Sequence, residues 1–198
     1  MRYDLASYIY EPVNSFLEKP TGIRKARREL IEKARGRVIE LGVGTGLNLP
    51  LYREGVEVIG VDVSEGMLKK AKGKKSPARV KLVKADARSL PFPDESFDTA
   101  VSTFFLCVVP EKGKVLGEVR RVLKPDGLLL AMECSPPKNP VFRAFLSGLS
   151  ALTSRLTGTD FRVDVGNLLR KSGFEILEEK NLVNGAVRII VARPSGEP

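Results

Sequence analysis

Arg37-Val38-Ile39-Glu40-Leu41-Gly42-Val43-Gly44-Thr45-Gly46 is the stretch on which the fold turns. Val38, Ile39 and Leu41 make a short apolar run, and glycines follow it at 42, 44 and 46. An apolar run bounded by turn residues reads as a buried strand entering a tight turn. Glycine lets the backbone come close to a ligand there, and the amides after it point at that ligand. Leu47, Leu49 and Leu51 are expected on a helix beyond Gly46, with Pro50 confined to its first turn.

Working outward, strand and helix signals alternate. Ala26, Leu30, Ile31 and Ala34 share one face of an amphipathic helix over 24–35, stopped by Gly36. Before it, residues 3–18 are aromatic-rich and read as a short helical arm that breaks near Pro20-Thr21-Gly22. Val56–Val61 is a second strand, and Ser64 is placed to cap a helix carrying Met67, Leu68 and Ala71. Val80–Val83 and Phe97–Thr103 are the third and fourth strands. Val115, Leu116, Val119, Val122 and Leu123 stripe a helix, Lys124-Pro125-Asp126-Gly127 is a turn, and Leu128–Met132 is the fifth strand. Beyond an apolar helical stretch at 141–158, a short helix runs from Asp164 to Lys171. Phe174–Leu177 and Val187–Ala192 then close the chain as a strand pair.

Such βαβ units build a parallel sheet covered on both faces. The expected fold is α/β: a Rossmann-like, seven-stranded, mostly parallel sheet with helices on both faces and the last strand antiparallel. One domain over 1–198 is expected. It comprises an arm at 1–23 over the pocket, a cofactor-binding core at 24–133, an acceptor-site insertion at 134–165, and a closing helix and strand pair at 166–198.

The spacing of the glycines narrows the ligand. A dinucleotide fingerprint reads G-x-G-x-x-G, whereas here the third glycine comes one residue early. Glu40 stands just before the first glycine, where a pyrophosphate has no use for a carboxylate. A sulfonium with an amino group is the better match. Asp62 ends the next apolar strand, sixteen positions after Gly46, where an acid accepts both ribose hydroxyls. That argument serves NAD and S-adenosylmethionine equally. Asp86-Ala87 at the third strand tip can hold an adenine amino group, which favours S-adenosylmethionine.

These segments resemble the class I methyltransferases. The similarity is to the group around ubiquinone/menaquinone-biosynthesis C-methyltransferases and phosphatidylethanolamine N-methyltransferases. The matching stretches are Val38 to Gly46, Gly60 to Leu68, Ala85-Asp86-Ala87, Leu90-Pro91-Phe92, Ser96-Phe97-Asp98 and Arg121 to Gly127. They span about half the chain in the right order; the family usually carries glycine where Asp126 stands. The resemblance implies that Glu40 faces the sulfonium and amino-acid end, and that Gly42, Gly44 and Gly46 pass under the ligand. It places Asp62 on the ribose, Val63 and Met67 beside the adenine, and Asp86 and Ala87 at the adenine edge. Ser102 and Thr103 line the pocket near the methyl group. Tyr3-Asp4 and Tyr10-Glu11 resemble the aromatic-acid pairs that close over the cofactor.

Composition removes other chemistries. The chain has no histidine, which excludes a Ser-His-Asp triad, a Cys-His pair and histidine-ligated zinc. Two cysteines, Cys107 and Cys134, give no disulfide framework and no metal spacing, so no metal is expected. Absence of glutamine and tryptophan, with many Lys, Arg and Glu, points to a thermophilic source. Lacking a signal peptide or a membrane-length apolar run, the chain is expected in the cytoplasm.

The net charge of +9 sits largely in two clusters, at 19–37 and 69–84. No RNA-binding signature accompanies either, and Thr103-Phe104-Phe105-Leu106 replaces the Pro-Pro-Tyr/Phe-type motif of base-amine methyltransferases. Cys134 is expected as a small core or pocket residue rather than a nucleophile. Lys74, Lys75 and Arg79 precede the third strand and belong at the edge away from the ligand. The stretch 1–28, with its tyrosines, Phe16, Leu17, Arg24, Lys25 and Arg28, is expected near the pocket mouth, where it could meet an anionic membrane. The expected function is methyl transfer from S-adenosylmethionine to a small-molecule or lipid-like acceptor. An RNA methyltransferase, a non-catalytic S-adenosylmethionine-binding module and a dinucleotide oxidoreductase are the alternatives.

Overall fold

The computed structural model describes residues 21–137, 139–140 and 163–196. The arm with Tyr3 and Tyr10, and the helical stretch expected at 141–158, lie outside the described residues. The elements are α1 (Ile23–Ile31), β1 (Arg37–Leu41), a 3-10 turn (Leu49–Leu51), β2 (Glu57–Asp62), α2 (Glu65–Ala71) and β3 (Arg79–Lys84). They continue with β4 (Phe97–Thr103), α3 (Lys112–Val122), β5 (Leu123–Cys134), α4 (Val165–Lys171), β6 (Phe174–Leu182) and β7 (Val187–Pro194). The seven strands form one sheet in the order β3-β2-β1-β4-β5-β7-β6. The pairings from β3 to β5 are parallel, and β7 is antiparallel to both of its neighbours.

Strand alternation divides the core into two layers. Ile39, Leu41, Ile59, Ala100, Leu129 and Ala131 face α3 and α4, packing on Val115, Val119, Val165 and Leu169. Val38, Val58, Val101, Leu130 and Met132 face the opposite layer, against Ala26, Leu30 and Ile31 of α1 and Leu68 and Ala71 of α2. Helices on both faces therefore follow from central strands that bury apolar residues on both sides, as a doubly covered parallel sheet demands.

Local chemistry sets the boundaries. Ser64 caps α2, its Oγ accepting from the Met67 amide at 3.2 Å. Asp164 caps α4 in the same way, accepting from Asn167. The helix expected over 24–35 ends sooner, at Ile31, and the chain turns before Gly36 at φ +62°. No helix follows Gly46: only the 3-10 turn forms, because Gly46 and Pro50 hold the chain to a tight connection into β2. Lys124–Gly127 is not a separate turn before the fifth strand. β5 begins at Leu123 opposite Phe97, and its next partner, Leu128, lies opposite Thr99, so these residues bulge from the ladder.

From β1 the chain steps outward to β2, while β3 crosses back to β4 on the other side of β1. The carboxyl ends of β1 and β4 thus flank a topological switch point, where open α/β sheets place their ligands. Lys74, Lys75 and the start of β3 lie at the opposite end of the strands, as expected.

Candidate functional site

The three glycines have left-handed φ values of +57°, +55° and +81°, and each meets something different. A Cβ on Gly42 would lie 2.2 Å from Cδ2 of Phe105, so the ring is seated on this backbone. At Gly46 it would lie 2.8 Å from Leu49 and 3.2 Å from Ala71, so this glycine serves packing against α2. At Gly44 the nearest atom is the Gly42 carbonyl at 3.8 Å, which leaves open space above the middle of the loop.

Asp62, at the tip of β2, fastens this loop. Its Oδ2 accepts from the Gly44 amide at 3.0 Å and its Oδ1 from the Ser64 amide at 2.9 Å. Val63 beside it is 53 % exposed, unusual for a valine following a buried strand, whereas Met67 is buried in the base of α2. At the tip of β3, Asp86 is held by Arg88 through bonds of 3.0 and 2.6 Å. Hydrogen bonds from Arg88 lower the pKa of that carboxyl. Arg88 also reaches Glu111, and Ala87 is buried.

The end of β4 is gripped from both faces of the sheet. On the α1/α2 face Asn48 donates to Thr103 Oγ1 at 3.0 Å and to Glu40 Oε1 at 2.9 Å. Tyr52 donates to Glu40 Oε2 at 2.7 Å, and Arg27 of α1 donates to Asn48 at 2.8 Å. Glu40 is 2 % exposed, and burial pushes its pKa up to about 7, opposed by Tyr52, Asn48 and Arg27. The same burial, and the neighbouring Glu40 charge, raise Tyr52 well above the ordinary phenol range.

On the α3/α4 face Ser102 donates to Glu133 Oε1 at 2.6 Å. Glu133 also accepts from the amides of Phe105 and Leu106 at 3.1 Å and of Cys107 at 3.3 Å. It is wholly buried, and desolvation raises its pKa against those hydrogen bonds. Phe104, at φ +53°, makes the sharp turn that lets three successive amides face one carboxylate. Cys107 and Cys134 are both buried, so Cys134 is a core residue.

The described residues therefore bring Glu40, the glycine loop, Asp62, Val63, Ser102 and Thr103 to one end of the sheet. Sequence reasoning missed Arg27, Asn48, Tyr52, Phe105 and Glu133. An acid at 133 continuing the apolar run Leu128–Met132 was the available signal for the last of them.

A methyltransferase domain model matches residues 39–131. The demethylmenaquinone methyltransferase of Clavibacter sepedonicus is 30 % identical over 211 residues, covering 94 % of this chain and 86 % of that protein. The chain belongs to the S-adenosylmethionine-dependent methyltransferase family.

Within that family it is 49 % identical over 96 residues to the phosphatidylethanolamine N-methyltransferase of Cereibacter sphaeroides, covering 46 % of this chain and 47 % of the other. It is 37 % identical over 142 residues to the Thermus thermophilus demethylmenaquinone methyltransferase, covering 67 % of this chain and 64 % of the other. The chain thus spans about half to two-thirds of the length of these two relatives. An S-adenosylmethionine-dependent methyltransferase structure from Thermotoga maritima superposes with a TM-score of 0.73 at 23 % identity, covering 98 % of this chain and 100 % of that one. At that identity the likeness is one of fold. Among the described residues no helix is long and apolar enough to cross a membrane, and no side-chain cluster could hold a metal ion.

Proposed function

We propose that this methyltransferase moves the methyl group of S-adenosylmethionine to a small-molecule or lipid-like acceptor by in-line displacement. The observation that carries the proposal is the open space over Gly44 beside the β1–β4 switch point, with Asp62 bonded to that loop. The residues suit the cofactor. A carboxylate accepts up to about four hydrogen bonds, so the two amides on Asp62 do not exclude ribose hydroxyls. The exposed Val63 offers the adenine an apolar surface, and Met67 beside the adenine and Ala87 at its edge complete the reading. Asp86 would meet the adenine amino group while shared with Arg88. Glu40 is only 2 % exposed and is bonded by Asn48 and Tyr52, so its burial has it act on the methionyl end through Asn48 and its field rather than by contact.

S-adenosylmethionine supplies an activated methyl on a sulfonium, so the protein's task is alignment and exclusion of water. Ser102 and Thr103, fixed from both faces, hold the end of β4 where acceptor and methyl meet. Phe104, Phe105 and Leu106 give that end an apolar character. Relatives named for phosphatidylethanolamine and demethylmenaquinone favour a lipid-like acceptor. The arm at 1–23, including Tyr10, and the 134–165 segment would shape the acceptor side.

The test is transfer of labelled methyl from S-adenosylmethionine to a lipid extract, phosphatidylethanolamine and a demethylmenaquinol included. Label should enter the lipid fraction, and Asp62→Ala should abolish cofactor binding. Label confined to added RNA, or cofactor affinity retained by Asp62→Ala, would overturn the reading. The arm's cations and aromatics also support peripheral contact with anionic bilayers. Sedimentation with phosphatidylglycerol vesicles should weaken with salt and on removal of residues 1–20; sedimentation that ignores both would refute the contact.

A further inference from the structure

We infer that the ring of Phe105 is the wall met by the sulfonium end of S-adenosylmethionine, and that it sets the preference for charged cofactor over neutral product. The inference rests on the cofactor reading above and extends it to a residue at the next strand tip. Cδ2, Cγ and Cε2 of Phe105 lie 2.2, 2.9 and 3.0 Å from the position a Cβ on Gly42 would take. Any side chain at 42 would therefore strike the ring, so glycine and phenylalanine are fitted to one another.

The order of the strand tips places the ligand's parts. With the ribose at Asp62 on β2 and the adenine beyond it towards β3, the remainder of the molecule runs back across Gly44. It then reaches Gly42 and the gap between β1 and β4, where the Phe105 ring stands. The ring is firmly held. Its own amide and the two after it are bonded to Glu133, and the side chain packs against the core on the α3/α4 face while remaining partly exposed.

A cation brought against the Phe105 ring needs compensation for the water it loses. Glu40 is committed to Asn48 and Tyr52, and Glu133 to Ser102 and backbone amides. An aromatic face supplies attraction without a further charge. Transfer of the methyl turns the sulfonium into a neutral thioether, which loses that attraction, so the same ring favours cofactor entry and product release.

Calorimetry with S-adenosylmethionine and S-adenosylhomocysteine, on wild type, Phe105→Leu and Phe105→Tyr, tests this without any acceptor. Phe105→Leu should weaken the charged ligand about 3- to 30-fold and the neutral one less than twofold. Phe105→Tyr should keep the wild-type ratio. Because the ratio is taken within one preparation, partial misfolding of a variant does not alter it. Parallel weakening of both ligands in Phe105→Leu would reduce the ring to packing, and tightening of both would make it an obstruction; either overturns the inference alone. Failure of wild type to bind either ligand would instead overturn the cofactor reading, and this inference with it.

Discussion

Glu40 and Glu133 are both buried acids at the end of the sheet, on opposite faces, and they are satisfied in different ways. Glu133 is surrounded by donors that cannot leave: three consecutive backbone amides and the hydroxyl of Ser102. Glu40 depends on two side chains, Asn48 and Tyr52, with Arg27 one bond further away. One carboxylate is built into the path of the chain after β4, while the other is the centre of a side-chain network that also steadies the glycine loop's exit. A buried charge costs little only when its partners are fixed, so the α3/α4 face holds the turn after β4 and the α1/α2 face holds an adjustable element.

The comparison breaks first at Glu133. Glu133→Ala would leave four buried donors without their acceptor, so unfolding free energy should fall by at least about 3 kcal/mol in urea titrations. A loss below about 1 kcal/mol would mean the turn at Phe104 needs no anchor. Next in size is Asn48→Ala, which removes one donor from Glu40 and one from Thr103 while depriving Arg27 of an acceptor. A loss of about 2 kcal/mol is expected, smaller than for Glu133 because Tyr52 remains. Equal losses at the two sites would remove the distinction between fixed and adjustable partners.

The smallest effect, taken per pH unit, is a dependence on pH. Glu40 rises from 4.5 to about 7 on folding, so the folded state binds its proton more tightly than the unfolded chain does. That contribution is fully present below about pH 4.5 and is lost as pH climbs through 7, by up to about 1.4 kcal/mol per pH unit. Stability of wild type relative to Glu40→Gln should therefore decline between pH 5 and 7. A flat difference would show that Tyr52, Asn48 and Arg27 offset burial completely.

The sequence exposed the frame more readily than the networks under it. Apolar strands ending in Gly42, Asp62 and Asp86 fixed the direction of the sheet, because those patterns are local. Arg27 stands within the basic cluster at 19–37, where charge conceals that its spacing from Ile23 and Leu30 puts it on the buried face of α1. Asn48 and Tyr52 were hidden by an expected helix: Leu47, Leu49 and Leu51 suggest one, and the tight connection into β2 forbids it. The seat of Phe105 on Gly42 joins two strand tips about sixty residues apart in sequence, and no local period carries such a pairing.

Asp62 touches both the loop before it in space and the helix cap after it in sequence, and this bears on the timing of ligand capture. The bonds to the amides of Gly44 and Ser64 draw the loop into shape as the protein folds. On the proposed cofactor reading, a nucleoside arriving at this rim would find its cradle already assembled, with little conformational entropy left to lose at the encounter. The ordering cost would then be met once, during folding, and each new cofactor molecule would meet a surface that is already shaped.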